Sequence, residues 1–117
     1  MDIAMPTAGK VTFRAGDRVH ALVDTGADMN MVRRAYAERL GARPVNWSRS
    51  FSVHGVKDEL DPVYLLAYRV EELGEIKTAE FVDVGMLAHL PVLLGRAFLS
   101  GKVMIYDGIA GRVTLAV

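Results

Sequence analysis

Short runs in which polar and apolar residues alternate predict β-strands along most of the chain. Residues 10–14 and 18–22 both alternate, and residues 15–17 between them have the composition of a turn. This pattern predicts a hairpin that ends just before residue 24. Further strands are predicted from alternation or from short apolar runs near residues 51–56, 64–70, 76–84, 91–95, 103–106 and 112–117.

Helical spacing is confined to two segments. Residues 29–40 carry apolar side chains at the spacing of one helix face, and Gly41 is positioned to end that helix in a left-handed conformation. Asp28 or Asn30 is the expected cap at its start. A second, short helix is predicted over residues 96–99. The predicted fold class is therefore all-β, a sandwich or closed barrel, with one prominent α-helix and a short helix near the C-terminus.

Composition restricts the classes of protein to which the chain can belong. Its 117 residues fit one domain, residues 1–117, and 51% of them are hydrophobic, which is enough for a core without disulfides. Cysteine is absent, so no thiolate metal site is expected. The formal net charge is +0 and no basic run is longer than Arg33-Arg34, so no nucleic-acid partner is expected.

Targeting signals are equally sparse. No apolar run reaches the ~20 residues that a membrane-spanning helix needs, so no membrane segment is expected in this chain. A cytoplasmic location is expected, or a periplasmic or membrane-tethered one if flanking segments are missing.

The chemistry of the chain is concentrated in residues 21–28, Ala-Leu-Val-Asp-Thr-Gly-Ala-Asp. An apolar strand stops there at the carboxylate of Asp24, which is costly to bury unless it is hydrogen-bonded or used in a reaction. Gly26 lets another backbone or a substrate come close, and Thr25 offers a hydroxyl to a neighbouring strand or subunit. The structural alternative is an aspartate that closes a turn at the end of a strand.

Two motifs resemble those of one enzyme family. Residues 22–28, Leu-Val-Asp-Thr-Gly-Ala-Asp, are similar to the active-site loop of the retroviral-type, or retropepsin-like, aspartic proteases. Residues 93–96, Leu-Leu-Gly-Arg, resemble the second signature of that family, which also precedes a short helix. The helix predicted after the active-site loop makes the chain resemble single-domain bacterial or cellular members more than the retroviral ones. The resemblance implies an acid-protease half-barrel in which the two segments cross beneath the active site.

The resemblance also implies roles for the residues of these motifs. Asp24 would be the catalytic aspartate, and an ion pair between Arg96 and Asp28 would brace the loop that carries it. The residues that support the catalytic pair would be Thr25, Gly26, Ala27, Asp28 and Arg96.

Aspartic protease chemistry needs two carboxylates that share one proton. The chain has a single Asp-Thr-Gly, so the active enzyme is expected to be a homodimer with one Asp24 from each subunit. It would hydrolyse peptide bonds by general acid–base catalysis without metal or cofactor. Ala27 has no hydroxyl to stabilise an ionised carboxylate, so a weakly acidic pH optimum is expected.

A protein or peptide substrate would lie extended across the dimer axis, with apolar residues beside the scissile bond. A flap is expected over it, with its tip within residues 55–59. By resemblance, the residues that bind the substrate are Leu22, Gly26, Asp28, Gly55, Val56, Lys57, Leu90, Pro91 and Leu93.

The C-terminal strand, residues 112–117, stays apolar to its last position. It is expected either to cross the dimer axis or to complete the sheet of its own subunit. His20, His54 and His89 lack the spacing of metal ligands, and no metal site is expected. Two alternatives to an enzyme remain at this point: a non-catalytic dimeric peptide-binding or scaffolding domain on the same fold, and a small β-sandwich unrelated to proteases.

Overall fold

The fold is mostly β, which confirms the predicted all-β class, and it is seen in a computed structural model that describes residues 1–49, 51–52, 55–56, 60–83 and 90–117. The strands are β1 (Asp2–Ala4), β2 (Ala21–Val23), β3 (Asn30–Val32), β4 (Asn46–Ser48), β5 (Phe51–Ser52), β6 (Gly55–Val56), β7 (Asp61–Arg69), β8 (Ile76–Val82), β9 (Val92–Leu94), β10 (Val103–Asp107) and β11 (Arg112–Ala116). The helices of these ranges are α1 (Arg34–Arg39) and α2 (Arg96–Leu99).

The main sheet is curled into a half-barrel and mixes parallel with antiparallel pairs. Its hydrogen-bonded order is β1–β7–β8–β3–β9–β2, and β4 pairs with β7 as well. β9 lies between β3 and β2, antiparallel to β3 and parallel to β2. Because β2 and β9 are parallel and in register to their ends, the segments that follow them emerge at the same edge of the sheet.

The hydrophobic core lies between this sheet and α1. Tyr64, Leu66 and Tyr68 alternate along β7 and point into the core, where residues of α1 contribute to the same cluster. Phe98 of α2 belongs to it too, with its ring 6.2 Å from that of Tyr68 in an edge-to-face arrangement. This contact anchors α2, and with it the start of the helix at Arg96, to the body of the protein.

The prominent helix predicted over residues 29–40 is shorter than expected. Its first part is strand β3, and α1 begins only at Arg34, with Arg33 as a cap that makes no side-chain hydrogen bond. The proposed caps, Asp28 and Asn30, are therefore wrong. Gly41 does follow the helix with φ +81°, as predicted. Neither α1 nor α2 could cross a membrane, and in the part of the chain described here no other helix is long and apolar enough.

Residues 29–32 are predicted as helix because the spacing of their apolar side chains fits the period of a helix as well as that of a strand. Partner strands on both sides decide the outcome: β3 pairs with β8 through Asn30 and Met31, and with β9 through Met31 and Val32. Hydrogen bonding to two neighbours outweighs a weak local preference for helix.

The predicted hairpin over residues 10–22 is wrong. Its middle, Ala15–Asp17, is a 3₁₀ turn, and only β2 at its end is a strand. Asp17 is buried in that turn and accepts a hydrogen bond from Nε of Arg14 at 2.7 Å. This buried carboxylate organises the segment in place of a cross-strand ladder.

β10 and β11 form the predicted C-terminal hairpin, which pairs with no other strand among the described residues. Its apolar side chains face solvent, with Ile105 57% and Tyr106 70% exposed. Consecutive residues of a strand point to opposite faces, so both faces of the hairpin expose apolar side chains, while Leu115 of β11 packs partly against the core. Exposed apolar patches are typical of interaction surfaces.

Candidate active site

Asp24 is the first residue after β2, at the edge of the sheet where β9 also ends. Its backbone N–H donates to the carbonyl oxygen of Leu94 at 2.9 Å, which continues the β2–β9 ladder by one bond. Its carboxylate Oδ1 accepts a hydrogen bond from the backbone N–H of Gly26 at 2.8 Å. The side chain is partly exposed, so a substrate or a second subunit can reach the carboxylate while the backbone is fixed from behind.

Gly95 lets the Asp24 loop lie directly against the second motif. It is buried, and a Cβ atom built on it would lie 2.5 Å from the carbonyl oxygen of Met29 and 2.7 Å from that of Ala27. Both distances are far below van der Waals contact, so only glycine fits at this crossing. The two motifs therefore lie against each other, with β2 and β9 paired in parallel and Gly95 packed against the Asp24 loop.

The start of α2 is hydrogen-bonded to the same loop. A helix leaves its first backbone N–H groups without partners inside the helix. Here the N–H of Arg96 donates to the carbonyl of Ala27 at 2.8 Å, and the N–H of Ala97 donates to the carbonyl of Asp28 at 3.1 Å. The loop thus satisfies the end of the helix, and the helix holds the loop.

The side chain of Arg96 adds a second set of contacts. Its Nη1 donates to the backbone carbonyl of Thr25 at 3.0 Å, and its Nη2 forms an ion pair with Asp28. The side chains are 55% and 79% exposed, so the pair alone contributes little to stability. Its geometric effect is larger, because one guanidinium spans two points of the loop that follows Asp24.

Asn30 belongs to the site although the sequence suggested only a helix cap. It is 1% exposed, and its Oδ1 accepts a hydrogen bond from the backbone N–H of Gly95 at 3.0 Å. The available signal was a polar residue inside an apolar segment, since such a residue needs a partner when buried. Leu94 was also missed, because its contribution is made by a backbone carbonyl.

The residues predicted to bind substrate differ in exposure. Leu22 is 46% exposed, and Gly26 and Asp28 are exposed beside it in sequence. Leu90 and Pro91 are partly buried, whereas Leu93 is 5% exposed and lies within the packed sheet. Gly55 and Val56 pair with β5 as strand β6, so they form an arm of a hairpin where a flap tip was predicted. Lys57 lies outside the described residues.

Of the two carboxylates on the Asp24 loop, that of Asp28 is paired with Arg96, which leaves the carboxylate of Asp24 for acid–base chemistry. Among the residues that the structure describes, no three His, Asp or Glu side chains converge as a metal ion would require. A lone aspartate can accept a proton from water but cannot also protonate a leaving group in the same step.

Comparison with known proteins gives one match. The family model described as "gag-polyprotein putative aspartyl protease" matches residues 10–101, which include the Asp24 loop and the start of α2. No match was found among curated proteins or among solved structures.

Proposed function

Because the chain belongs to the gag-type aspartyl protease family, we propose that it is an aspartic endopeptidase that is active as a homodimer. Asp24 of each subunit contributes one of the two catalytic carboxylates. The observation that carries the proposal is the fixed position of Asp24: its backbone is hydrogen-bonded to Leu94, and the loop after it is hydrogen-bonded to α2. A carboxylate that merely closed a turn would not need contacts across 71 residues, as between Thr25 and Arg96.

The reaction follows from two carboxylates that share one proton. The ionised carboxylate removes a proton from water, whose oxygen attacks the peptide carbonyl carbon. The protonated partner gives its proton to the carbonyl oxygen, which forms a neutral tetrahedral gem-diol. One diol proton then returns to a carboxylate while the leaving nitrogen takes the other carboxylate's proton, and the C–N bond breaks. Water is thereby added across the bond and the pair returns to its starting protonation state.

The hairpin β10–β11 supports a dimer independently of the family. Two-stranded hairpins are at best marginally stable by themselves in water. This one carries Val103, Ile105, Tyr106 and Val113 at 61%, 57%, 70% and 55% exposure. A second copy of the chain would cover them, and a twofold axis makes the same hairpin face itself. The predicted role of residues 112–117 at the dimer axis is part of this proposal.

The dimer is tested by comparing two substitutions of exposed isoleucines. Ile105 lies on the hairpin, and Ile76, at the start of β8, is 48% exposed in the main sheet. Both Ile105→Asp and Ile76→Asp should leave the folded subunit intact, because neither side chain is buried in it. Only Ile105→Asp, and deletion of residues 112–117, should convert the dimer to an inactive monomer in analytical ultracentrifugation. An active dimer that tolerates both changes would contradict the proposal.

The substrate class follows from the surface beside the catalytic loop. Leu22 offers an exposed apolar side chain two residues before Asp24, and Gly26 and Asp28 are exposed on the other side of Asp24 in the sequence. An extended chain gains affinity from main-chain hydrogen bonds and specificity from alternate side chains. We therefore expect cleavage beside bulky apolar residues of a protein or peptide. Leu90 and Pro91 would contribute to the same apolar substrate-binding surface as Leu22.

Catalysis is tested by digestion of a peptide library across pH with wild type and Asp24→Asn. Wild type should cleave, and the substitution should abolish cleavage while peptide binding and dimerisation persist. A wild type that binds peptides but never cleaves them would make the chain a non-catalytic peptide-binding domain. Cleavage that survives Asp24→Asn would remove Asp24 from the mechanism.

A further inference from the structure

One peptide unit, between Leu94 and Gly95, is hydrogen-bonded at both of its ends. Its carbonyl oxygen, on Leu94, accepts from the backbone N–H of Asp24 at 2.9 Å. Its N–H, on Gly95, donates to Oδ1 of Asn30 at 3.0 Å. The oxygen and the hydrogen of a trans peptide point in opposite directions within one plane. The backbone of Asp24 and the side chain of Asn30 are therefore hydrogen-bonded to opposite sides of the same planar peptide group.

This peptide lies beside a residue with unusual backbone freedom. Gly95 has no Cβ and populates more backbone conformations than any other residue, so the peptide before it can turn at low cost. A rotation would carry the Leu94 carbonyl away from the N–H of Asp24 and would break both hydrogen bonds together. The crossing itself requires glycine, because of the 2.5 Å approach to the Met29 carbonyl. The fold thus needs a flexible residue next to the catalytic loop and a separate device to fix it.

We propose that Asn30 is this device: a positioning residue that holds the Leu94–Gly95 peptide in the orientation that fixes the backbone of Asp24. The inference rests on the proposed function, since it assigns Asn30 to the same catalytic site. Asn30 is 1% exposed, so its Oδ1 is shielded from bulk solvent, and the hydrogen bond links segments 65 residues apart. Arg96 braces the other side of the loop from the surface, whereas Asn30 acts from the interior.

Three variants separate positioning from general stability. Asn30→Leu keeps the size of the side chain and removes the acceptor. Asn30→Asp keeps an acceptor oxygen at the same place, whether or not the carboxyl group is ionised. Val32→Ala is the matched control, because Val32 is 0% exposed in the same strand, β3, and its side chain has no polar atom that could hydrogen-bond to this peptide.

The first measurement is amide hydrogen exchange followed by NMR, which needs no enzymatic activity. In Asn30→Leu the amides of Gly95 and Asp24 should both exchange at least about tenfold faster relative to amides of β7. Asn30→Asp should restore their protection, and Val32→Ala should leave the ratio unchanged. Faster exchange at Gly95 with Asp24 unaffected would overturn the proposal, as would equal effects of Asn30→Leu and Val32→Ala.

The second measurement is the kinetics of a peptide found by library digestion. Asn30→Leu should lower kcat by about 10–100-fold with KM within about twofold, because a displaced catalytic group loses rate before it loses binding. Asn30→Asp should recover most of kcat. A loss confined to KM would overturn the proposal. If wild type cleaves no peptide, the proposed function fails, and the exchange experiment still decides whether Asn30 fixes Asp24.

Discussion

Replacement of Gly95 by alanine tests how closely the two motifs must approach. The added Cβ would lie 2.5 Å from the carbonyl oxygen of Met29 and 2.7 Å from that of Ala27, where ordinary contact begins at 3.4 Å. Both neighbours are backbone atoms, so no side chain can rotate away and the loop must move by roughly 1 Å. Overpacking of this kind typically costs ~1–3 kcal/mol. A displacement of ~1 Å in a catalytic group costs about 10²-fold in rate.

The magnitudes lead to a specific expectation. A domain with ~5–15 kcal/mol of stability stays mostly folded after such a loss, so Gly95→Ala should be a folded protein whose kcat/KM has fallen by about 10²-fold. Urea denaturation and cleavage of a library-derived peptide measure the two effects separately.

Two other glycines provide graded controls for this experiment. Gly16 has no positive φ, and no atom of the described residues lies within 4 Å of a Cβ built on it, so Gly16→Ala should leave both stability and rate unchanged. At Gly26 the contact that a built Cβ makes within the described residues is with a side-chain atom, Oδ1 of Asp24, at 3.2 Å, so Gly26→Ala should cost less stability than Gly95→Ala. If Gly95→Ala matches wild type in both assays, the two motifs do not need the close crossing inferred here.

Three further predictions follow from contacts near the site and in the core. Arg96→Ala removes an exposed ion pair with Asp28, so the free energy of unfolding should fall by less than about 1 kcal/mol while kcat/KM falls at least about tenfold. Arg96→Lys should restore the rate only in part, because lysine lacks the planar guanidinium. A loss of stability in thermal melts as large as the loss of activity would contradict this. Tyr36 donates to the carbonyl of Asp17 at 2.8 Å, so Tyr36→Phe should cost about 1–3 kcal/mol in urea unfolding at pH 7. Burial, aided by the Asp17 carboxylate, raises the pKa of Tyr36 from 10.0 to about 12, so this contribution is complete below pH 10.0 and disappears as pH rises through about 12; a wild-type advantage that persisted above that range would be inconsistent with it. Ala27→Ser adds a donor for the ionised carboxylate and should move the peak of the pH–rate profile downward from a weakly acidic wild-type optimum, whereas a wild-type peak near about pH 2 would refute the expectation.

The sequence predicted those parts of the fold whose information is local. β7, β8 and the β10–β11 hairpin follow from strand-like runs separated by turns, and α2 and the left-handed Gly41 also lie where predicted. The two motifs identified the Asp24 loop and its partner because each is a short, chemically unusual stretch. Contacts between side chains can be predicted when both partners lie inside a recognised motif, as Arg96 and Asp28 do.

The parts that could not be predicted depend on partners far away in the chain. Asn30 lies in an apolar run that fits a helix, and only its neighbours β8 and β9 make it a strand residue. Its role depends on the N–H of Gly95, which no side-chain pattern reveals. Likewise, residues 10–14 alternate like a strand, but the burial of Asp17 determines their path. In each case a distant contact outweighed a local preference.

The position of β9 between β2 and β3 has a consequence during synthesis. Residues 92–94 leave the ribosome long after β2 and β3, so the sheet of a growing chain has a gap where β9 will lie. Closing that gap requires contacts between residues far apart in the chain, such as Val32 with Val92, which are 60 residues apart, and this is a slow step in folding. On the proposed function, an unfinished polypeptide therefore carries no assembled protease, and cleavage begins only after translation has passed the second motif and two finished copies have met.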